Sequence, residues 1–305
     1  MKVAITGSSG LIGTALAASL RADGHEVIRL VRRSPRGAAE VRWDPRAADA
    51  GLGGPAAGAL EGTEAFVHLA GVGIGDRLWT RRRKAEIRAS RVLGTRALAG
   101  ALSRLSPKPA VLLAASAIGW YGDTGGREVT EQAPAAASGF LGKLVRDWEA
   151  AADPARDAGI RVVHVRSGLV LDGRGGILSR LAPLARWGLL PRFGTGEQVM
   201  SWIAVADEVG AIRFLLSSPD SGGPFNLTAP NPVTNSEFTA ALHRVFGRPD
   251  PRWFRIPAPV LRLALGEMSS ELLGSARVVP ERLLAAGYQF RYPDAGPALA
   301  AALGR

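Results

Sequence analysis

Within its first two dozen positions the chain runs as a short apolar segment, breaks on glycine and resumes as a helix. Lys2-Val3-Ala4-Ile5-Thr6 reads as a strand, Gly7-Ser8-Ser9-Gly10-Leu11-Ile12-Gly13 as a turn, and Leu11 to Leu20 carries helical spacing up to a stop at Asp23-Gly24. Strand, glycine turn and helix in this order give a weak glycine pattern its force. Gly7 makes the tight turn, Gly10 lets backbone approach a pyrophosphate at the helix N-terminus, and Gly13 lets helix and strand pack closely. The backbone of Leu11 and Ile12 opens the helix. The segment predicts a dinucleotide site at the carboxyl end of the first strand.

The same rhythm continues. Glu26 to Val31, Ala65 to Leu69, Ala110 to Ala115 and Arg161 to Val165 read as buried parallel strands, and Arg81 to Leu102 and Leu141 to Asp157 as helices. Alternation of this kind predicts an α/β fold, a Rossmann-type doubly wound parallel sheet with ligands beyond the carboxyl ends of its strands. Gly37 to Gly62, rich in Gly, Ala and Pro, reads as an irregular connection with one poor helix and little chemistry. Past residue 170 the rhythm loosens, with strand-like pieces at Trp202 to Val205 and Phe225 to Thr228. The expected division is a nucleotide-binding domain over 1–165 with a later return near 198–228, and a smaller C-terminal substrate lobe over 166–305, with a substrate cleft between them.

Nineteen residues beyond Gly13, where an acid would take the ribose hydroxyls of NAD, stand Arg32 and Arg33. A guanidinium suits a 2′-phosphate, so NADP(H) is expected over NAD.

Composition narrows the remaining classes. Of 305 residues, 47% are hydrophobic and 21% charged, which is globular usage. No apolar run is long enough for a membrane span, and Met1-Lys2 leads directly into a strand, which argues against a signal peptide or anchor. The absence of cysteine excludes disulfides and thiolate chemistry and makes the cytoplasm the expected location. The net charge of +11 raises nucleic acid as a partner, but the arginines are spread along the chain, and the Arg81-Arg82-Arg83-Lys84 run reads more simply as a solvated helix face. His25, His68, His164 and His243 show no metal-ligand spacing, so no metal is expected.

The Gly-x-x-Gly-x-x-Gly spacing resembles the extended short-chain dehydrogenase/reductase superfamily, and further segments fall into register with it. His68-Leu69-Ala70-Gly71, Arg91-Val92-Leu93-Gly94-Thr95, Ser201-Trp202-Ile203 with Asp207, and Phe225-Asn226 resemble its later motifs. More narrowly the chain resembles an NADP-binding, epimerase-like subfamily, through Trp43-Asp44-Pro45, Glu86-Ile87-Arg88, Tyr121-Gly122-Asp123, Arg146-Asp147-Trp148-Glu149, Arg166-Ser167-Gly168, Ala229-Pro230-Asn231-Pro232 and the run Pro280 to Pro293 within a tail over 250–303. This resemblance implies cofactor contacts at Gly7, Gly10, Leu11, Ile12, Gly13, Arg32, Arg33, Leu69, Ala70, Gly71, Glu86, Arg91 and Val170, those of Leu69, Ala70 and Val170 through backbone or packing. Glu86 and Arg91, five apart on one helix, could equally form a surface pair.

The superfamily's catalytic tyrosine and its lysine four residues later do not carry over. With Glu149 aligned to the glutamate that ends that helix segment, their positions are Leu141 and Val145, and the nearby Phe140 and Lys143 do not rebuild the pair. Ser116 and Tyr121 remain as candidate catalytic hydroxyls, with a packing role for Tyr121 equally open. Two functions stay in view: an NADP-dependent epimerase or oxidoreductase acting on a small-molecule substrate, with a nucleotide sugar implied only by the resemblance, and a non-catalytic NADP(H) sensor or scaffold that binds a protein partner.

Overall fold

The architecture comes from a computed structural model that describes residues 1–47, 50–53, 55–251 and 253–305. Ala48, Asp49 and Gly54 of the glycine-rich connection, and Arg252 of the tail, lie outside the described residues. Seven strands form one parallel sheet: β1 (Lys2–Thr6), β2 (Glu26–Val31), β3 (Glu40–Arg42), β4 (Ala65–His68), β5 (Val111–Ala117), β6 (Arg161–Ser167) and β7 (Gly223–Leu227). Their order is β7-β6-β5-β4-β1-β2-β3, so the chain winds outward from β1 in one direction, returns to β4 and winds outward in the other. The crevice at such a reversal, between β1 and β4, is where an open α/β sheet takes its ligand.

Period-two alternation supplies both faces of the sheet. Val3, Ile5, Val27, Val67, Leu113, Val163, Val165 and Phe225 point to one face. There they meet Leu16, Ala17 and Leu20 of α1 (Leu11–Ala22) and Val209, Ile212 and Leu215 from the helix Val205–Leu216. Ala4, Ile28, Leu30, Phe66, Leu112 and Val162 point to the other and are covered by Leu98, Ala99 and Leu102 of the helix Gly94–Leu102 and by Ala152 and Ala155. Burial on both sides explains why these strands read as nearly continuous apolar runs.

Three details depart from the sequence reading. The Gly37–Gly62 connection contributes an edge strand, β3, whose Glu40 matters below, besides the expected poor helix at Pro55–Ala59. The expected helix over Arg81 to Leu102 consists of α2 (Arg81–Arg88), a π-helical turn at Ala89–Leu93, and α3 (Gly94–Leu102). The helix expected over Leu141 to Asp157 divides into α4 (Phe140–Ala150) and a short helix Asp153–Asp157 with proline in its first turn.

Of the two late strand-like pieces, Phe225 to Thr228 belongs to β7 in the main sheet. Trp202 to Val205 does not; Trp202–Ala204 pairs instead with Leu169–Leu171. That pair sits on a third apolar cluster with Phe238 and Leu242 of the helix Asn235–Val245 and Ala298 and Leu299 of the C-terminal helix Ala295–Ala302. The tail thereby closes a core of its own beyond the carboxyl ends of β6 and β7.

Candidate functional site

The glycine turn is a close-packed cradle. Gly7 has φ +66, and a Cβ there would lie 2.7 Å from the Leu69 carbonyl and 2.8 Å from the Ala70 nitrogen. A Cβ on Gly13 would collide with the Gly7 carbonyl. Gly10 donates its amide to that same carbonyl at 2.9 Å and begins α1 with no side-chain cap and no acid in the first turn. An uncapped N-terminus with free N–H groups and the positive end of the helix dipole is suited to an anion.

Two walls close on it. Leu69 and Ala70 are held by Thr6, whose Oγ1 meets Ala70 N at 3.3 Å and His68 Nδ1 at 2.7 Å. His68 is fully buried, edge-on to Trp43 with ring centroids 5.7 Å apart, and burial pushes it down to about 4, so it stands neutral at pH 7. Opposite, Val170 pairs with Ile203, and the loop at Gly175–Gly176 brings Leu11 and the Val170 carbonyl into one wall. Ile12 faces away and packs against the core.

The π-helical turn brings Arg91 inward. Its guanidinium lies 3.2 Å from where a Cβ on Gly71 would be, donates to the Val72 carbonyl at 2.9 Å, and stacks over Trp148 at 5.1 Å. Only 8% of it is exposed, its Nε has no partner, and no carboxylate pairs with it among the described residues. Burial, and then the charge of Arg83, pull it down to about 10. A desolvated cation without a counter-ion is costly, and an anionic ligand would relieve it. Glu86 is not its partner; it turns outward to Arg83 at 3.2 Å and Arg82 at 3.3 Å, which hold its carboxyl below the usual range.

The paired arginines after β2 have different fates. Arg33 makes a two-pronged pair with Glu40, both contacts 2.7 Å, whereas Arg32 is exposed and has no partner among the described residues. In the basic run at the start of α2, Lys84 meets Glu267 at 2.6 Å and Arg83 donates to the Gly73 carbonyl at 2.6 Å. These contacts tie Arg83 and Lys84 to the protein, while Arg81 and Arg82 stay exposed.

Ser116 and Tyr121 come together, but through a buried network. Ser116 Oγ donates to Glu149 Oε1 at 2.6 Å, and Glu149 takes Arg166 Nε and Nη2 at 2.8 and 2.9 Å. Arg166 Nη1 donates to the Tyr121 hydroxyl at 2.9 Å, and that hydroxyl donates to Asn226 Oδ1 at 2.7 Å. The Asn226 backbone N–H in turn donates to Glu131 Oε1 at 2.9 Å. Burial pushes the Tyr121 hydroxyl above its ordinary value. Sequence reasoning named Arg166 and Asn226 only as parts of family motifs without a role, used Glu149 only as an alignment marker and missed Glu131. The available signal was an arginine next to the valines of the strand Arg161–Ser167, a buried position that requires a partner.

The profile of the NAD dependent epimerase/dehydratase family matches residues 3–228. The chain belongs to that family. A second profile, a domain of unknown function (DUF1731), matches residues 256–302, within the tail. The epimerase family protein ML0860 of Mycobacterium leprae is 44% identical over 99% of this chain and 96% of its own length. The human epimerase family protein SDR39U1 is 34% identical over 98% of both chains. A crystal structure of human SDR39U1 with NADPH superposes with a TM-score of 0.90, covering 100% of this chain and 99% of that one at 31% identity. A nucleoside-diphosphate sugar epimerase structure from Corynebacterium glutamicum matches with a TM-score of 0.80 at 37% identity, covering 100% of this chain and 58% of that one.

Within this epimerase-family chain, the two positions expected from the sequence for the superfamily's tyrosine and lysine lie in an apolar wall. Leu141 and Val145 pack against the turn Ile118–Trp120, with a Cβ on Gly119 falling 3.2 Å from Leu141. Phe140 lies edge-on to Trp79 at 5.2 Å, and Met268 of the tail packs on the same cluster. Lys143 is exposed. Among the described residues no group of His, Asp and Glu is arranged to hold a metal ion, and no helix is long and apolar enough to cross a membrane.

Proposed function

We propose that this family member binds NADP(H) along the crevice from the glycine turn to the end of β2. The pyrophosphate would lie over Gly10 to Gly13 at the start of α1, the ribose side against Leu69 to Gly71, and the 2′-phosphate on Arg32. Val170 would contribute backbone, and Arg91 would supply the buried positive charge behind Gly71. The observation that carries the reading is the exposed Arg32 guanidinium, without a partner among the described residues, at the position that selects between the two dinucleotides. The uncompensated Arg91, with its orphaned Nε, is an independent fit to an anion. Glu86, held by Arg82 and Arg83, would act at most at the outer rim.

When bound, the cofactor supplies two-electron redox chemistry at a carbon centre, which is the basis of an oxidoreductase or epimerase reaction on a small molecule. The chain's own contribution would be to bind, orient and exclude water. Phe140, Leu141 and Trp79 offer a dry wall, and the proposed substrate lobe over 166–305 would close the cleft against a nucleotide-binding unit made of 1–165 and the return near 198–228. The sugar nucleotide remains the substrate class implied by family. Ser116 and Tyr121 would hold the wall's shape through Arg166, since both hydroxyl protons are committed to Glu149 and Asn226.

That commitment also favours a second reading, a non-catalytic NADP(H) sensor. Two measurements test and then separate them. Titration with NADPH and NADH by cofactor fluorescence should give tighter NADPH binding that the Arg32→Ala variant loses selectively, and failure to bind either cofactor would overturn both readings. An enzyme would then show substrate-dependent change in cofactor absorbance in a sugar-nucleotide and carbonyl screen; a sensor would hold NADPH and show none.

A further inference from the structure

Glu40 stands on β3, the edge strand hidden in the glycine-rich connection, in register with Arg29 of β2. Four donors converge on its carboxylate. Arg33 Nη1 and Nη2 each reach one oxygen at 2.7 Å, the Arg36 backbone N–H reaches Oε2 at 2.8 Å, and Arg29 Nη1 lies 3.5 Å from Oε1. These contacts hold the carboxyl down to about 2, so it stays charged at any working pH. Arg33 also donates Nη1 to the Ser34 carbonyl at 2.8 Å, so three of its five N–H donors are committed and only its Nε–H and one Nη2–H are not. Arg29 donates Nε to Ser8 Oγ at 3.1 Å, so the cluster reaches into the glycine turn itself.

We propose that Glu40 is a specificity-determining residue that withholds Arg33 and Arg29 from the cofactor, leaving Arg32 as the guanidinium that reads a 2′-phosphate. The inference rests on the NADP(H) reading above. An acid that selects NAD accepts hydrogen bonds from the ribose hydroxyls and needs empty lone pairs to do so. Both Glu40 oxygens are already filled by arginine and amide donors, so this acid does not convert the site to NAD. Its charge offsets two neighbouring guanidiniums and weakens the field felt by a phosphate. The sequence shows two equivalent arginines, Arg32 and Arg33; Glu40 makes them unequal, binding one and leaving the other.

The test is a set of fluorescence titrations with NADPH and NADH on the full chain and on Arg32→Ala, Glu40→Ala, Arg32→Ala/Glu40→Ala and that double variant with Arg33→Ala added. Removing Glu40 should tighten NADPH about three- to tenfold, the scale of one partly exposed charge contact, and leave NADH unchanged. Arg32→Ala should erase the preference for NADPH, the double variant should regain part of it through the released Arg33, and the triple variant should lose it again. Weaker NADPH binding by Glu40→Ala, or no recovery in the double variant, would overturn the proposal while wild-type preference for NADPH kept the parent reading intact. Wild-type protein that binds neither cofactor would remove both. Glu40→Gln, which keeps the shape of the edge strand, repeats the charge removal if the alanine variant melts, with a smaller gain expected because its amide oxygen still accepts from Arg33.

Discussion

Arg166 and Glu149 meet in the interior as a two-pronged ion pair, Nε to Oε1 at 2.8 Å and Nη2 to Oε2 at 2.9 Å, with 2% and 9% of their side chains exposed. The guanidinium also lies 3.8 Å over the Trp120 ring and donates to Tyr121, so β6, α4 and the turn after β5 are joined at one charge. Removing either partner leaves the other buried and uncompensated. Glu149→Leu or Arg166→Met should each destabilise by about 3–5 kcal/mol, and the two together by much less than the sum. Urea denaturation of the four proteins checks this; additive losses would show that the pair is not coupled.

Glu208 should make stability fall as pH rises. It is fully buried on the helix Val205–Leu216, accepts Ser167 Oγ at 2.6 Å, has no partner at Oε2, and burial pushes it from its ordinary 4.5 up to about 8. The folded state therefore holds a proton that the unfolded chain releases near its ordinary value. Between those two values the folded protein binds more protons, so raising pH lowers stability by about 1.4 kcal/mol per unit, with the benefit fully present below the lower value and gone above the higher. Denaturation midpoints from pH 5 to 9 should show this slope in wild type and lose it in Glu208→Gln.

Arg91 should trade stability for binding. Replacing this desolvated, unpaired cation with Met keeps most of its packing on Trp148 and removes the cost of burying a charge. The cofactor-free Arg91→Met protein should melt at a higher temperature, while NADPH affinity drops by about tenfold or more, as expected for a lost charge-assisted contact. Equal NADPH affinity would mean that the guanidinium serves the fold alone.

Gly13→Ala should lose cofactor binding through backbone displacement. Its Cβ would strike the Gly7 carbonyl and come within 2.9 Å of Ser8 Cα, so the turn and α1 must separate. A cost of about 1–3 kcal/mol is expected, together with loss of NADPH affinity. Gly37→Ala, where a Cβ meets nothing within 4 Å, is the control and should leave both unchanged.

The tertiary structure sorts the sequence candidates by how far apart in the chain their partners lie. Gly7, Gly10 and Gly13 were legible because a tight turn and a close helix–strand contact are satisfied within a dozen residues. The paired roles of Ser116 and Tyr121 were not, since their partners stand 33 and 105 positions away. For Arg91 the sequence left a cofactor contact and a surface pair with Glu86 both open, and the π-helical turn that carries it inward, away from Glu86, was not legible in the helical spacing.

By itself the sequence determined the parallel sheet, the glycine cradle and the kinship of the tail, because period-two burial and glycine spacing are local properties that survive without knowledge of strand order. Only the tertiary structure decided that Arg33 is bound while Arg32 has no partner among the described residues, and that Ser116 and Tyr121 belong to a buried ion-pair network. Those outcomes depend on which strand lies beside which and in what register: β3 next to β2 sets Glu40 against Arg33, and β6 between β5 and β7 sets Arg166 between Ser116 and Asn226. A side chain's hydrogen-bond partners are fixed by that neighbourhood, and no spacing along the chain encodes it.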